Sequence, residues 1–301
     1  MIDRVIEIAN PARLCVRDCQ LVIAPEGGAE VTTPLSELAV LLIAHPRVSL
    51  TQAVLSRIAL EGGAVVTCDD KFLPASMMLP LQSHYVQGER FARQCEMPLP
   101  LRKRLWQTIV RAKIRAQGLL LQELQGSHGG LLPMAERVRS GDPGNLEAQA
   151  ARLYWGQLFQ PRRFRRGGEG PDQNRHLDYG YTVLRAATAR ALCAAGLHPS
   201  IGLRHHNRYD VFTLASDLME PFRPLVDRRV HAWIQDHDPE GPFERDARAW
   251  LLGLFAERFL VQNERRSLSD ILGAAGNGLA RAIAGEDNAF LLAEDLQPCV
   301  E

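Results

Sequence analysis

The chain has 301 residues, 46% of them hydrophobic and 23% charged, an ordinary globular mixture long enough for two modest cores. It holds no apolar run near the ~18 residues of a membrane span, and its start, Met-Ile-Asp-Arg-Val-Ile-Glu-Ile, lacks the basic and apolar regions of a secretory signal. Formal charge is zero, with 35 basic and 35 acidic side chains, so a uniformly basic polyanion binder is excluded and only a locally basic one remains possible.

The first eighty residues read as strands. Arg4–Ile8, Arg13–Arg17 and Gln20–Ala24 are short β-rich runs divided by Asn10-Pro11, Arg17-Asp18 and Pro25-Glu-Gly-Gly28, all turn chemistries. Leu38–Ala44 is apolar throughout and is expected to be a buried strand. Residues 49–60 form a short amphipathic helix, capped by Ser49 or Thr51 and stopped by Gly62-Gly63, and Ala64–Cys68 is a further strand. Residues 1–80 are therefore expected to be a small sheet domain with one helix, and 81–97 a linker.

From residue 98 the apolar period becomes helical. Leu101, Leu105, Ile109, Ala112 and Ala116 mark one face of a helix over 98–125, with Arg104, Arg111 and Arg115 striping another. Asp142-Pro143 reads as cap and first position of the next helix, which carries Glu147 beside Ala151, Tyr154 and Leu158. Residues 177–195, 244–261 and 267–284 complete an expected all-α domain over 98–301. The fold class is α+β, a β-rich domain followed by a helical one.

Charge follows the same division. Residues 1–80 carry 6 basic and 9 acidic side chains, whereas 98–185 carry 15 against 7. A polyanion responds to field within a screening length of roughly 8 Å, so the middle segment is the candidate surface for it. Arg162, Arg163, Arg165 and Arg166 flank Phe164 in a glycine-rich loop. It reads either as a solvated surface or as a flexible arm closing on phosphates, with Phe164 stacking on a base. The six cysteines are scattered without a Cys-x-x-Cys pair, which favours reduced thiols and a cytoplasmic setting.

Chemistry concentrates at His205-His206-Asn207 and at Asp217-Leu-Met-Glu220-Pro-Phe-Arg-Pro. Glu147 alone reads as a solvated helix residue, and tandem histidines alone as core or capping groups. Asp217 and Glu220 share a helix face amid apolar neighbours, so their burial demands a partner, either a cation or Arg223. One imidazole with two carboxylates suits Mg²⁺ or Mn²⁺ better than zinc, and no His-Glu-x-x-His is present.

The pattern Ser200-Ile-Gly-Leu-Arg-His205-His-Asn through Asp217-Leu-Met-Glu220-Pro-Phe-Arg-Pro-Leu-Val-Asp227 resembles the signature of the CRISPR adaptation integrases, the endonucleases that capture spacers. Asn174-x-x-Leu177-Asp-Tyr-Gly-Tyr181, the Glu147 helix and residues 106–114 resemble that family in order and spacing, and length and N-terminal segment are most similar to type II versions. Asp178 departs from the pattern, which has asparagine there. The resemblance implies an N-terminal β-sandwich-like dimerisation domain and a helical catalytic domain. It implies Glu147, His205 and Glu220 as metal ligands and catalytic residues, His205 rather than His206 being the ligand. It implies DNA backbone contacts from Arg104, Arg111, Arg115, Arg162, Arg163, Arg165 and Arg166. The implied reaction is attack of a DNA 3′-hydroxyl on a phosphodiester at a repeat end. The implied partners are double-stranded DNA, a second copy of the chain, a small ferredoxin-like adaptation protein and the type II effector nuclease. A metal-dependent nuclease on branched or single-stranded DNA, and a largely structural DNA-binding subunit, are the alternatives.

Overall fold

The structure, a computed structural model, describes residues 4–69, 74–159, 164–168, 172–204, 210–286, 290, 292 and 296–299. Two four-stranded sheets make up the N-terminal part. Strands β1 (Arg4–Ile8), β5 (Leu38–Ile43), β7 (Ala64–Cys68) and β8 (Pro74–Met78) form one, in the order β1-β5-β7-β8. Strands β2 (Ala12–Arg17), β3 (Gln20–Pro25), β4 (Val31–Pro34) and β6 (Ser49–Leu50) form the other, in the order β4-β3-β2-β6. The β2-β3 and β3-β4 pairs are antiparallel, whereas β5 runs parallel to both β1 and β7. The turn expected at Arg17-Asp18 is tight: Asp18 and Cys19 both take positive φ, of 50° and 58°.

β5 explains the architecture. Its sequence, Leu-Ala-Val-Leu-Leu-Ile, is almost wholly buried because both faces of its sheet are covered. Leu41 and its register partner Val65 join a core with Leu14, Leu21, Val54 and Ile58, between the two sheets and helix α1 (Gln52–Leu60). Val40, Leu42 and Val66 belong instead to the core of the helical region. A buried ion pair reinforces the joint. Arg248 Nε lies 2.8 Å from Glu7 on β1, with side chains 5% and 7% exposed, and the Tyr179 hydroxyl donates to the same carboxylate.

The stretch expected as a linker contains helix α2 (Gln87–Cys95), whose Gln94 is buried and donates to the carbonyls of His198 and Ile201. Beyond it lie α3 (Leu99–Gln125), α4 (Leu131–Glu136), α5 (Leu146–Leu158), α6 (Gln173–Ala194), α7 (Thr213–Met219), α8 (Arg223–Asp236) and α9 (Arg245–Leu252). α6 is the axis, packed on the first sheet at one side and on α7, α8 and α9 at others. Where α6 meets α8, a Cβ on Gly180 would come within 2.5 Å of Val226, so the close approach of the two helices requires glycine.

Two expectations are corrected here. The helix expected over 244–261 stops at Leu252, passes through a 3₁₀ turn, and becomes strand β9 (Arg258–Val261). β9 pairs with β10 (Glu264–Ser267) and β11 (Gln297–Pro298), so the C-terminal region is not purely helical. The reason is local: Gln262 and Asn263 take positive φ and close a hairpin there. Ser267 then caps α10 (Leu268–Ala284) in a reciprocal capping box with Asp270.

All six cysteines are free thiols, with Cys19 and Cys95 exposed rather than packed. No helix among the described residues is long and apolar enough to cross a membrane.

Candidate active site

Three elements meet at one partly buried cation. Lys113, in the middle of α3, places Nζ 2.7 Å from a carboxylate oxygen of Glu147 and 2.7 Å from one of Glu220. Glu147 sits in the first turn of α5, where backbone N–H groups and the helix dipole favour negative charge. Its position is set from upstream. Asp142, expected as the cap residue itself, instead accepts the N–H groups of Leu146 and Glu147 at 2.9 and 3.0 Å, while Asn145 occupies the cap with φ 48°.

Glu220 opens a 3₁₀ turn between α7 and α8. Pro221 and Pro224 cannot donate to carbonyls four residues back, so the helical ladder breaks at this point. Glu220 is 4% exposed and meets Lys113 of α3. Its other oxygen accepts from Arg223 at 3.0 Å. Burial opposes the Lys113 ammonium, but the Glu220 and then Glu147 carboxylates outweigh it and its pKa lies above the ordinary value.

Asp217, expected to share a face with Glu220, has a different task. It is fully buried, and its Oδ2 accepts the backbone N–H groups of Leu203 and Arg204 at 2.6 and 3.1 Å. Thr213 Oγ1 donates to the Ser200 carbonyl at 2.6 Å, and a Cβ on Gly202 would lie 2.9 Å from that hydroxyl. The segment leading to the histidine pair is thus fastened to α7. His205 and His206 themselves lie outside the described residues. Among the described residues no group of three His, Cys, Asp or Glu side chains forms a metal site; the pair brought together is Glu147 and Glu220.

Directly behind Arg223 lies a second acidic centre. Asp227 on α8 is 1% exposed and accepts the Tyr154 hydroxyl at 2.7 Å and the Tyr181 hydroxyl. Burial raises its pKa from 3.8 to about 6 against the two phenolic hydrogen bonds and the charges of Arg223 and Arg166. Arg223 lies over the Tyr181 ring at 4.7 Å and Arg166 at 5.3 Å, so one aromatic ring separates the two centres.

A cleft of about 160 Å³ opens beside them, lined by Arg166, Arg185, Arg223, Asp178, Tyr181 and Ser216 among others. Arg185 makes no ion pair there, and its buried Nε has no hydrogen-bond partner among the described residues.

The seven arginines expected to hold DNA divide into four groups, the last being Arg166 alone. Arg104 on α3 and Arg165 in the loop are exposed. Arg111 and Arg115 both pair with Glu136, at 2.6 and 2.8 Å, which offsets part of their field. Arg162 and Arg163 lie outside the described residues. The loop is also less free than a flexible arm over 164–168. Arg166 donates to Asn174 at 2.8 Å and to Asp178 at 2.5 Å, and the Arg165 carbonyl accepts from Asn174. Asp178, the departure from the family pattern, therefore serves as an anchor for Arg166. Phe164 is not poised for a base: it packs on Phe159 and Trp155 with ring centres 4.7 and 5.4 Å away. Sequence reading missed Lys113, Arg185 and the Asp227 pair of tyrosines. Their residue types alone give no signal, although Lys113 falls inside one of the stretches that resembled the integrases.

The fold, two N-terminal sheets joined to a helical region, has counterparts among solved structures. A casposase bound to integration product superposes with TM-score 0.78 over 95% of this chain and 92% of its own, at 18% identity. A Cas1 protein from Thermotoga maritima does so with TM-score 0.74 over 94% and 98%, at 16% identity. These likenesses establish a shared fold. Sequence comparison is more specific. The family model for CRISPR associated protein Cas1 matches residues 7–263. The CRISPR-associated endonuclease Cas1 of Neisseria meningitidis is 39% identical over 225 residues, covering 74% of this chain and 73% of that protein. The chain belongs to the Cas1 family of CRISPR-associated endonucleases.

Proposed function

We propose that the protein is a metal-dependent integrase that inserts short double-stranded DNA into a CRISPR repeat array, a 3′-hydroxyl of the fragment attacking a phosphodiester at the repeat end. The observation that carries this reading is the meeting of Glu147 and Glu220 at one partly buried cationic centre, 2.7 Å from Lys113 on either side. Carboxylates from two helices that already enclose a positive charge, beside a segment that ends in an imidazole, make a hard donor set fitted to Mg²⁺ or Mn²⁺. Glu147, Glu220 and His205 would hold the ion, which when bound lowers the pKa of an attacking hydroxyl and offsets charge on phosphate oxygens.

The chain's own residues contribute position and charge. Arg223, held against Glu220, and Arg166 and Arg185 in the adjoining cleft offer cationic donors to the phosphates on either side of the reacting bond. Exposed Arg104 and Arg165 extend the backbone track, while Arg111 and Arg115 engage phosphate only in competition with Glu136. Asp217 fixes the entry to the His205 segment through two main-chain N–H groups.

A solved Cas6-RT-Cas1–Cas2 complex superposes with TM-score 0.75 over 98% of this chain and 36% of its own, at 21% identity. That structure is an assembly of Cas1 with Cas2, which supports a partner of the Cas2 kind for this chain; we propose in addition that this partner is small and ferredoxin-like and that the chain pairs as a homodimer through residues 1–80. The test is strand transfer of a short duplex into a repeat-bearing plasmid, with and without that partner, in Mg²⁺ or Mn²⁺ and after chelation. Joined products that vanish on chelation and in Glu147→Gln support the reading. Cleavage of branched DNA without joining favours a plain nuclease, and metal-independent DNA binding without either favours a scaffold.

A further inference from the structure

We infer that Lys113 is an internal counter-ion for the metal centre: its ammonium holds Glu147 and Glu220 together while no divalent ion is bound, and yields its place when one binds. The inference rests on the metal-dependent reading above and adds a role for a residue outside the proposed ligand set. Three observations carry it.

The first is position. The ammonium makes a 2.7 Å contact with each of the two carboxylates and is itself 13% exposed, with Glu220 at 5% and Glu147 at 23%. Two carboxylates facing one another in such a place repel unless a cation stands between them. A divalent ion bound by the same oxygens would require the region that Nζ fills.

The second is division of labour. Arg223 occupies the other oxygen of Glu220 at 3.0 Å and rests on the Tyr181 ring. Glu220 therefore stays oriented if Lys113 moves away. Lys113 alone among these cations touches both carboxylates.

The third is residue type. Of 35 basic side chains only three are lysine, at positions 71, 103 and 113. A chain that otherwise uses arginine nearly everywhere has lysine at this point between two carboxylates. Guanidinium is a planar fork that engages a carboxylate edge-on. Ammonium is a compact point charge on a four-carbon stem, the side-chain group nearest in form to a small cation and one that can withdraw by rotamer change alone.

Metal binding is then an exchange of cations, and removing Lys113 should strengthen it. The experiment uses the full chain at fixed pH, with Mn²⁺ affinity measured by calorimetry and thermal unfolding followed with and without Mn²⁺. Lys113→Gln and Lys113→Met should each bind Mn²⁺ at least about tenfold more tightly than the unsubstituted protein, since a unit charge a few ångströms away opposes the ion appreciably even at an effective dielectric of about 20. Without metal both variants should unfold at lower temperature, and Mn²⁺ should raise their midpoints by more than it raises that of the parent chain. Should Lys113→Met fold only when Mn²⁺ is present, that also supports the exchange. Unchanged or weaker Mn²⁺ affinity in both variants, or failure of Mn²⁺ to restore either, overturns it. Glu220→Gln separates the two ideas. If it abolishes Mn²⁺ binding while the Lys113 variants bind no better than the parent, the metal reading stands and the counter-ion role falls. If Glu220→Gln binds Mn²⁺ like the parent, both fall.

Discussion

The helical region buries two carboxylates only one aromatic ring apart and compensates them by opposite means. Glu220 is matched by full positive charges, Lys113 and Arg223, whereas Asp227 is matched chiefly by the hydroxyls of Tyr154 and Tyr181. Charge compensation leaves a cluster whose members can exchange one cation for another. Phenolic compensation gives short, directed, neutral donors that favour a fixed geometry, with burial pushing the acid toward protonation. The first arrangement suits chemistry on a polyanion. The second suits support, since it ties α5, α6 and α8 together directly behind the first.

The contrast is sharpest when one carboxylate of each kind is removed. Glu147→Gln should reduce strand transfer on the order of a hundred- to a thousandfold, the cost of losing one preorganised electrostatic contact, with little change in thermal midpoint. Strand transfer within tenfold of the parent would remove Glu147 from the site. Asp227→Ala should behave in the reverse manner. Two buried phenols lose their acceptor at roughly 1–3 kcal/mol each, so chemical denaturation should report a loss of about 2–6 kcal/mol. A stability change below 1 kcal/mol would show that the tyrosines find other partners.

The pH dependence tests the same distinction more finely. Asp227 has a folded-state pKa of about 6 against 3.8 unfolded, so the native state binds more protons than the unfolded chain between those values. Its contribution is therefore complete below the unfolded value and lost as pH rises through about 6. Asp227→Asn, which keeps the shape and cannot ionise, should flatten the fall in urea midpoint between pH 4.5 and 7, a difference on the order of 2–3 kcal/mol. Parallel profiles for the two proteins would mean that Asp227 ionises normally.

The smallest effect belongs to the cleft between the centres. Arg185→Ala should weaken duplex DNA binding evenly across sequences and reduce the log–log salt slope by about 0.9, one phosphate contact. An unchanged slope would assign Arg185 to packing alone.

Much of the architecture was legible because it follows from local pattern. β1 and β7 fall where the β-rich runs stood, α3 within a residue of its apolar period, and α10 behind its serine cap. The misses also have local causes that pattern cannot weigh. The Gln262-Asn263 hairpin turned an apolar helical run into strand, and the α2 helix, whose mean character is polar, looked like linker because its buried residue is a glutamine.

Within the site, residue types were legible and their assignments were not. Spacing placed Asp217 and Glu220 on one helical face, yet their partners come from different elements: Asp217 holds the backbone before His205 and Glu220 meets α3. Phe164 and Arg166 looked alike as members of a basic aromatic loop, until packing seated the first on Phe159 and Trp155 and tied the second to Asp178. By itself the sequence determined the family, the change from a strand-rich first part to a mainly helical remainder, and that Asp217 and Glu220 had to be matched by something. Only the tertiary structure decided what matches them: a buried charge takes its partner from whichever helix lies against it, and neither the distance from Lys113 to Glu147 nor that from Tyr181 to Asp227 is written in local periodicity.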